Sequence, residues 1–366
     1  MKLLTVVGAR PQFVKAAVLS RAMKAQASVT DVIVHTGQHF DTNMSDVFFE
    51  EMDIPKPQYF LDINGLSHGA MTGRMLEEIE KLLIIEKPDY LIVYGDTNST
   101  LAAALAAKKI KVKIVHIEAG VRNYDEHMPE EINRYLVDRL AEINFCCTST
   151  GMDNLIEEGF DNPKMNREMH NYGDVMYDAA MYYDKKSGEM SNIMNRLNLT
   201  GKDYTLCTVH RASNTDTAEA LGKIVRALNT INKQTPVLLP IHPRTRAKID
   251  EYGLVPEFTI IDPIGYFDMI QLIKNSVNII TDSGGVVREA YFFQKPSLLL
   301  LENQLWPELS AHNYCLVTLP EENNIIACFN QLDTLNKDFT TQIFGDGTAG
   351  EKILKQIMLH YELHDN

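Results

Sequence analysis

Short apolar runs that lack polar alternation recur along the chain, each followed by a turn and a segment with apolar residues at helical spacing. Residues 2–7 are the first such run, and Gly8-Ala9-Arg10-Pro11 turns the chain after it. Pro11 stands near the first position of a helix, where its missing N–H costs nothing. That helix is predicted to about Gln26, with Phe13, Val14, Ala17 and Leu19 at helical spacing. Further strands are predicted at 31–36, 90–94, 113–117 and 143–147, and helices at 68–86, 100–109 and 130–142. A polar stretch over 183–203 breaks the pattern and puts a boundary within 170–203. A second series then predicts strands at 204–209, 236–241, 258–261, 277–281 and 297–301, a helix at 217–232 and a last one at 349–361. Strands buried on both faces and alternating with helices specify parallel βαβ units. The predicted fold class is α/β, with two doubly wound, Rossmann-like parallel-sheet domains facing one cleft, divided as 1–172 and 173–348.

Ligands of such sheets bind beyond the carboxyl ends of the strands. Arg10, Gln38, Asp96 and Glu118 fall at those ends in the first series, and His210, Arg211, His242, Asp282 and Ser283 in the second. Ser283-Gly284-Gly285 follows the apolar run from Val277 to Ile280 and precedes a helical segment to about Phe293. A strand, a Ser-Gly-Gly turn and a helix start make an anion cradle. The glycines admit close backbone approach, and the free N–H groups and helix dipole favour negative charge. Ser283 can cap the helix and still offer its hydroxyl. Arg10 is a cation at a helix start, where the dipole prefers an anion, so its placement points to a bound anion.

The carboxylates admit two readings each. Asp96 suits the cap of a helix starting at Thr97 as well as it suits chemistry. Glu130 and Glu131 open a helix, where acids complement the dipole. Glu118 follows an apolar strand and precedes Ala119-Gly120, so it is expected to be partly buried, and a buried carboxylate needs a partner or a purpose. His210 suits a core or cap position as well as a site.

Charge narrows the ligand. The 366 residues carry 35 Lys+Arg against 49 Asp+Glu, a net charge of −14, which argues against a nucleic-acid or anionic-membrane surface. A phosphate site must then be a local concentration of cations. No GxxxxGK[ST] loop is present, and Gly8-Ala9-Arg10-Pro11-Gln12 lacks the GxGxxG spacing of dinucleotide folds. The five cysteines (Cys146, Cys147, Cys207, Cys315, Cys328) have no metal-ligand spacing, and their odd number suits a reducing cytoplasm. The first apolar run stops at Gly8, too soon for a signal-peptide core, and no run reaches the ~18–20 residues of a membrane span. Carboxylates beside a phosphate cradle imply a nucleotide-linked substrate with acid/base chemistry next to the phosphate ester.

These motifs, in this order, resemble the non-hydrolysing bacterial UDP-N-acetylglucosamine 2-epimerases over nearly the whole chain. The match runs through Gly8-Ala9-Arg10-Pro11, Thr36-Gly37-Gln38-His39, Gly95-Asp96-Thr97 and His116-Ile117-Glu118-Ala119-Gly120. It continues with Pro129-Glu130-Glu131-Ile132-Asn133-Arg134, His210-Arg211 and Asp282-Ser283-Gly284-Gly285. The resemblance implies a glycosyltransferase-B-like fold, with the C-terminal helix (349–366) returning to the first domain. It also implies a cytoplasmic homodimeric isomerase with no metal and no cofactor. Asp96, Glu118, Glu130 and His210 match the catalytic residues. Arg10, Lys15, Gln38, His210, Ser283, Gly284, Gly285 and Glu289 match the UDP-binding set, Glu289 gripping the ribose.

Trp306-Pro307-Glu308, Ser213 and His242-Pro243-Arg244-Thr245 depart from the family's usual residues, some of which line a second, activating UDP-sugar site in well-known members. The runs from Gly8 to Phe13, Asp174 to Asp178 and Glu289 to Phe293 look more like a sub-branch that epimerises UDP-2,3-diacetamido-2,3-dideoxyglucuronic acid. Arg244, Arg246 and Arg288 are then the candidate cations for the extra carboxylate. Two other classes share this fold: a glycosyltransferase, which needs an acceptor, and a nucleotide-sugar-binding protein without turnover.

Overall fold

A computed structural model describes residues 1–38, 49, 53–302 and 304–364. It divides into two compact units, Met1–Ala179 with Ile343–Asn366, and Ala180–Gln342. The division falls at 179/180 and 342/343, not at 172/173 and 348/349, because hydrogen bonds tie the intervening residues to the first unit. Asp174 N–H donates to Phe344 O (2.9 Å) and Gly350 N–H to Asp178 Oδ2 (2.8 Å). Gly173 and Phe344 approach so closely that a Cβ on Gly173 would lie 2.5 Å from Phe344 O.

The first unit is built on seven strands: β1 (Lys2–Val7), β2 (Thr30–His35), β3 (Tyr59–Phe60), β4 (Tyr90–Tyr94), β5 (Lys113–Ala119), β6 (Ile143–Cys146) and β7 (Glu168–Asn171). All pair in parallel, in the order β3-β2-β1-β4-β5-β6-β7. The second unit repeats the arrangement with β8 (Thr205–Thr208), β9 (Val237–Pro240), β10 (Thr259–Ile261), β11 (Asn278–Thr281), β12 (Ser297–Leu300) and β13 (Cys315–Thr318), ordered β10-β9-β8-β11-β12-β13. The ten predicted strands all form. β3, β7 and β13 are additional; β7 (Glu-Met-His-Asn) is an edge strand without the apolar run that marks the others.

In the first unit, Leu4, Val6, Val34, Leu91 and Val93 pack beneath Met75, Ile79 and the alanines of helix Asn98–Lys109. Small side chains let that helix lie close to the sheet. The polar stretch after 183 continues helix Val175–Met190, whose Ala179, Ala180, Tyr183 and Ser187 are buried. Its lysines deceive the eye because they lie on the outer face. Among the described residues no helix is long and apolar enough to cross a membrane.

In each sheet the order reverses between two central strands: β1 and β4 in the first unit, β8 and β11 in the second. Crossovers leave those strands on opposite faces, which opens a crevice at their carboxyl ends. The residues following β1 and β4 are Gly8-Ala9-Arg10 and Gly95-Asp96-Thr97; those following β8 and β11 are Val209-His210-Arg211 and Asp282-Ser283-Gly284.

Candidate active site

In the first unit, helix Arg10–Lys24 begins directly after the Gly8-Ala9 turn. Gln12 fastens that turn to the end of β4: its Oε1 accepts from Gly8 N–H (2.8 Å) and Ala9 N–H (3.1 Å), and its Nε2 donates to Tyr94 O (2.7 Å). A Cβ on Gly8 would sit 2.1 Å from Ser99 Oγ, so only glycine fits there. Gln38 closes the same corner, accepting from Ser99 N–H (3.0 Å) and Ser99 O–H (2.7 Å). Its neighbour His39 lies outside the described residues.

Asp96 does not cap the helix after β4. Thr97 does, accepting from Thr100 N–H at 3.3 Å. Asp96 is released to pair with Arg134 (2.5 Å), and Asn133 donates to its backbone carbonyl (2.8 Å). Arg134 is 4 % exposed and also holds Glu131 at 2.6 Å. Burial opposes its charge, but Asp96 and Glu131 outweigh burial and raise its pKa further. The two acids that open helix Pro129–Leu140 thus separate. Glu131 is fully buried and accepts from Tyr124 N–H (3.0 Å), a structural role; Glu130 is half-buried and its side chain makes no hydrogen bond or ion pair among the described residues.

Glu118 is the strained member. It has φ +72°, the left-handed region that non-glycine residues avoid, and the β5–β6 register shifts between Ile117 and Ala119. Strain of this kind is held in place by surrounding structure and clusters at functional sites. Glu118 Oε1 meets Lys15 Nζ at 2.7 Å, and Lys15 is 4 % exposed. Gly95 (φ +60°) makes room for the pair; a Cβ there would lie 3.2 Å from Glu118 Oε1. Cys147 and Asp174 bring further ligand atoms within 4.8 Å of Glu118. Lys15, aligned by resemblance with a diphosphate contact, is seated in this structure on Glu118.

Sequence reasoning missed what holds this edge together. His116 is fully buried on β5; its Nδ1 meets Asp138 (2.6 Å) and its Nε2 meets Gly95 O (2.8 Å). Both partners of the ring are oxygen atoms that can accept. Asp138 also accepts from Gly120 N–H (3.1 Å) and pairs with Arg122 (2.7 Å), which reaches on to Glu158 (2.7 Å). Burial pushes the Asp138 carboxyl up, but His116 and Arg122 outweigh it and hold it below the usual carboxylate range. A lone His and an Asp 22 residues apart carry no sequence signal for this.

The second unit's edge is cationic. Asp282 is fully buried and accepts from the backbone N–H groups of His210 (3.0 Å) and Arg211 (2.9 Å), from Asn214 (3.1 Å) and, at 3.2 Å, from His210 Nδ1. Burial raises its pKa, but His210 and these donors lower it more. Asp282 therefore sets the ring of His210, which stays about half exposed. His242 is the N-cap of helix Pro243–Glu251, accepting from Arg244 N–H at 3.2 Å; burial, then His210 and Arg244, lower its pKa.

Ser283 caps helix Gly284–Phe292, accepting from Val286 N–H at 3.3 Å. The N–H groups of Gly284 and Gly285 have no protein acceptor among the described residues, and Gly285 is exposed. Open N–H groups at a helix start are of the kind that an anion can satisfy. Trp306, at a position that departs from the resembled family, fastens the turn at Gly284: its Nε1–H donates to Gly284 O (2.9 Å). Arg288 lies over the Trp306 ring at 4.6 Å. Glu289 is buried on the same helix, and burial followed by the Glu289 charge raises the pKa of Tyr266. The three candidate cations for an extra carboxylate are all engaged: Arg288 on Trp306, Arg244 with Asp216, and Arg246 with Asp262 (3.0 Å).

Comparison with known proteins gives one family. Residues 21–358 match the family described as UDP-N-acetylglucosamine 2-epimerase. The chain is 46% identical, over 98% of its length and 99% of the relative, to UDP-2,3-diacetamido-2,3-dideoxy-D-glucuronate 2-epimerase of Pseudomonas aeruginosa. It is 39% identical, over 95% of its length and 96% of the relative, to UDP-N-acetylglucosamine 2-epimerase of Methanococcus maripaludis. The crystal structure of Methanocaldococcus jannaschii UDP-GlcNAc 2-epimerase in complex with UDP-GlcNAc and UDP superposes with a TM-score of 0.89 at 35% identity, covering 98% of this chain and 100% of that one.

Proposed function

Because the chain belongs to the UDP-N-acetylglucosamine 2-epimerase family, we propose that it inverts C2 of a UDP-linked 2-acetamido sugar by eliminating UDP and adding it back. The observation that carries this reading is the strained Glu118 seated on buried Lys15 beside Asp96 on buried Arg134. Two carboxylates, each paired with a buried cation at the same edge of one sheet, are candidates for the acid/base groups such a reaction needs. The C2–H of such a sugar is not next to a carbonyl. Weakening the C1–O bond first gives C1 oxocarbenium character and acidifies C2–H. A carboxylate then takes the proton, the C–H pair becomes the C1=C2 bond, and UDP leaves with the C1–O pair. The 2-acetamidoglycal receives a proton at C2 from the opposite face, and UDP adds back at C1.

In this reading the C2 proton goes to Glu118 or Asp96, each seated on a buried cation. Glu130, with no cation partner among the described residues, delivers the returning proton; two acid/base groups in unlike surroundings are what such chemistry needs. The Gly284 and Gly285 N–H groups, Ser283, His210 and Arg10 stabilise departing UDP, Gln38 keeps its corner of the site closed, and Glu289 takes the ribose. Proton NMR of substrate and enzyme in deuterated water tests the reading. Deuterium is expected at C2 of both epimers, with no acceptor and with a chelator present. Epimerised product without solvent hydrogen, or activity that a chelator abolishes and metal restores, overturns it.

Lys15 separates two roles. As the counter-ion of Glu118, its replacement in Lys15→Met lowers kcat by ~10²-fold or more and leaves the Kd for UDP, measured by calorimetry, unchanged. A loosened Kd with unchanged kcat would assign it to the diphosphate instead.

Within the class, the family description points to UDP-GlcNAc and UDP-ManNAc. A second reading takes the 2,3-diacetamido uronate, favoured by the 46% identity to the Pseudomonas aeruginosa enzyme and by the runs from Gly8 to Phe13, Asp174 to Asp178 and Glu289 to Phe293. The ratio of kcat/KM on the two UDP-sugars decides between them. Because Arg244, Arg246 and Arg288 all have partners, a uronate preference would rest on backbone donors or on one of these pairs opening. The same reading includes a cytoplasmic homodimer, supported by five free cysteines and by resemblance, and light scattering measures its mass.

A further inference from the structure

The opposite edge of the first sheet carries a second cluster that the epimerase reading does not use. Glu168 begins β7, Tyr90 begins β4 and Lys113 begins β5. In a parallel sheet the strand starts lie at the edge away from the carboxyl ends, where Asp96 and Glu118 stand. A cavity of 460 Å³ opens here, lined among others by Glu168, His360, His364, Lys113 and Arg167. His360 and His364 lie four residues apart on helix Ala349–His364, hence on one face, with ring centroids 4.4 Å apart.

We propose that Glu168, His360 and His364 form a zinc-type divalent cation site that clamps the C-terminal helix to the edge strand of the first sheet. One ligand atom from each lies within 4.8 Å of the other two. Donors at ~2.0–2.2 Å from a tetrahedral ion stand ~3.4 Å apart, so a small inward movement closes the set. The exposed His364 side chain in the last helical turn supplies that movement. Two imidazoles and one carboxylate are a donor set that suits zinc and leaves a fourth position for water.

The surroundings already orient the donors as metal sites require. Tyr90, fully buried, meets His360 Nδ1 at 2.6 Å, which leaves Nε2 of that ring as the nitrogen open to an ion. Glu168 Oε2 is held by Gln356 Nε2 (2.9 Å) and by His170 Nε2 (2.9 Å). Partners of this kind fix ring tautomer and carboxylate direction, and losing one typically weakens binding ~10–100-fold. Each of the two cations in the cavity wall has an aromatic partner: Lys113 lies over the Tyr90 ring (5.6 Å) and Arg167 over the Phe160 ring (5.5 Å).

Calorimetry of the metal-free full chain with zinc chloride tests this. One saturable site per chain is expected, with an upward shift of the thermal midpoint in excess zinc. His364→Ala removes an exposed side chain and should leave the fold intact. It is expected to weaken zinc binding by more than the ~10–100-fold that loss of an outer partner causes, to abolish the thermal shift, and to leave UDP affinity unchanged. Gln356→Ala weakens binding by ~10-fold or more. No saturable binding, or binding unchanged in His364→Ala, overturns the proposal. A sulfur ligand in the zinc X-ray absorption spectrum would put the ion at Cys147 and overturn it equally.

Discussion

Replacing Glu118 by Gln is expected to lower kcat by ~10²–10⁴-fold, the usual worth of a positioned general base, with the Kd for UDP unchanged. Gln keeps the shape but cannot take a proton or pair with the Lys15 ammonium 2.7 Å away. The backbone already holds Glu118 at φ +72° and Gly95 already leaves room beside it, so the amide needs no rearrangement. Ser283→Ala is the contrasting variant. It removes the cap of the cradle helix and a donor to the anion, and weakens UDP binding by ~1.5–3 kcal/mol. Steady-state kinetics and UDP calorimetry on both variants check the pair. A Glu118→Gln enzyme that turned over normally, or that lost UDP affinity instead of rate, would remove Glu118 from the acid/base role.

Asp138→Asn is expected to destabilise the first unit by ~3–5 kcal/mol, the cost of breaking a buried ion pair and leaving its partner uncompensated. Arg122 and His116 both face Asp138, and none of the three side chains is exposed. The damage should spread to the site, because Asp138 also holds Gly120 N–H, and His116 holds the Gly95 carbonyl beside Glu118. Urea unfolding at neutral pH measures it. The pH dependence has a definite sign. Asp138 is held below its ordinary value of 3.8 in the folded protein, so its contribution is complete above that value and is lost as pH falls through the lower folded one. The gap between wild type and variant should therefore be widest near neutrality and narrow only in strong acid. A gap that grew on acidification, or a variant as stable as wild type, would show that the pair carries no such weight.

Much of each unit's candidate edge was legible because strand ends are legible. Arg10, Gln38, Asp96 and Glu118 each follow an apolar run, and in a parallel sheet all such runs deliver their last residues to one edge. The same logic gathered His210, Asp282 and Ser283. Partnership was not legible. Asp96 reads as a helix cap until Thr97 is seen to take the cap and Arg134 to take Asp96. Glu130 and Glu131 are equivalent in sequence but differ in burial, because a helical step of 100° turns Glu131 fully inward and leaves Glu130 half-buried.

The sequence alone determined two parallel α/β units, the residues at the carboxyl edge of each sheet, and the family, since apolar periodicity and local motifs are properties of neighbouring residues. Only the tertiary structure decided which cation meets which carboxylate, that His116 and Asp138 brace the first sheet's edge from inside, that Trp306 fastens the turn at Gly284, and that a polar edge strand and a terminal helix bring Glu168, His360 and His364 together. Those contacts join residues distant along the chain, and their energies depend on burial and on separations of a few ångströms, which no local pattern encodes.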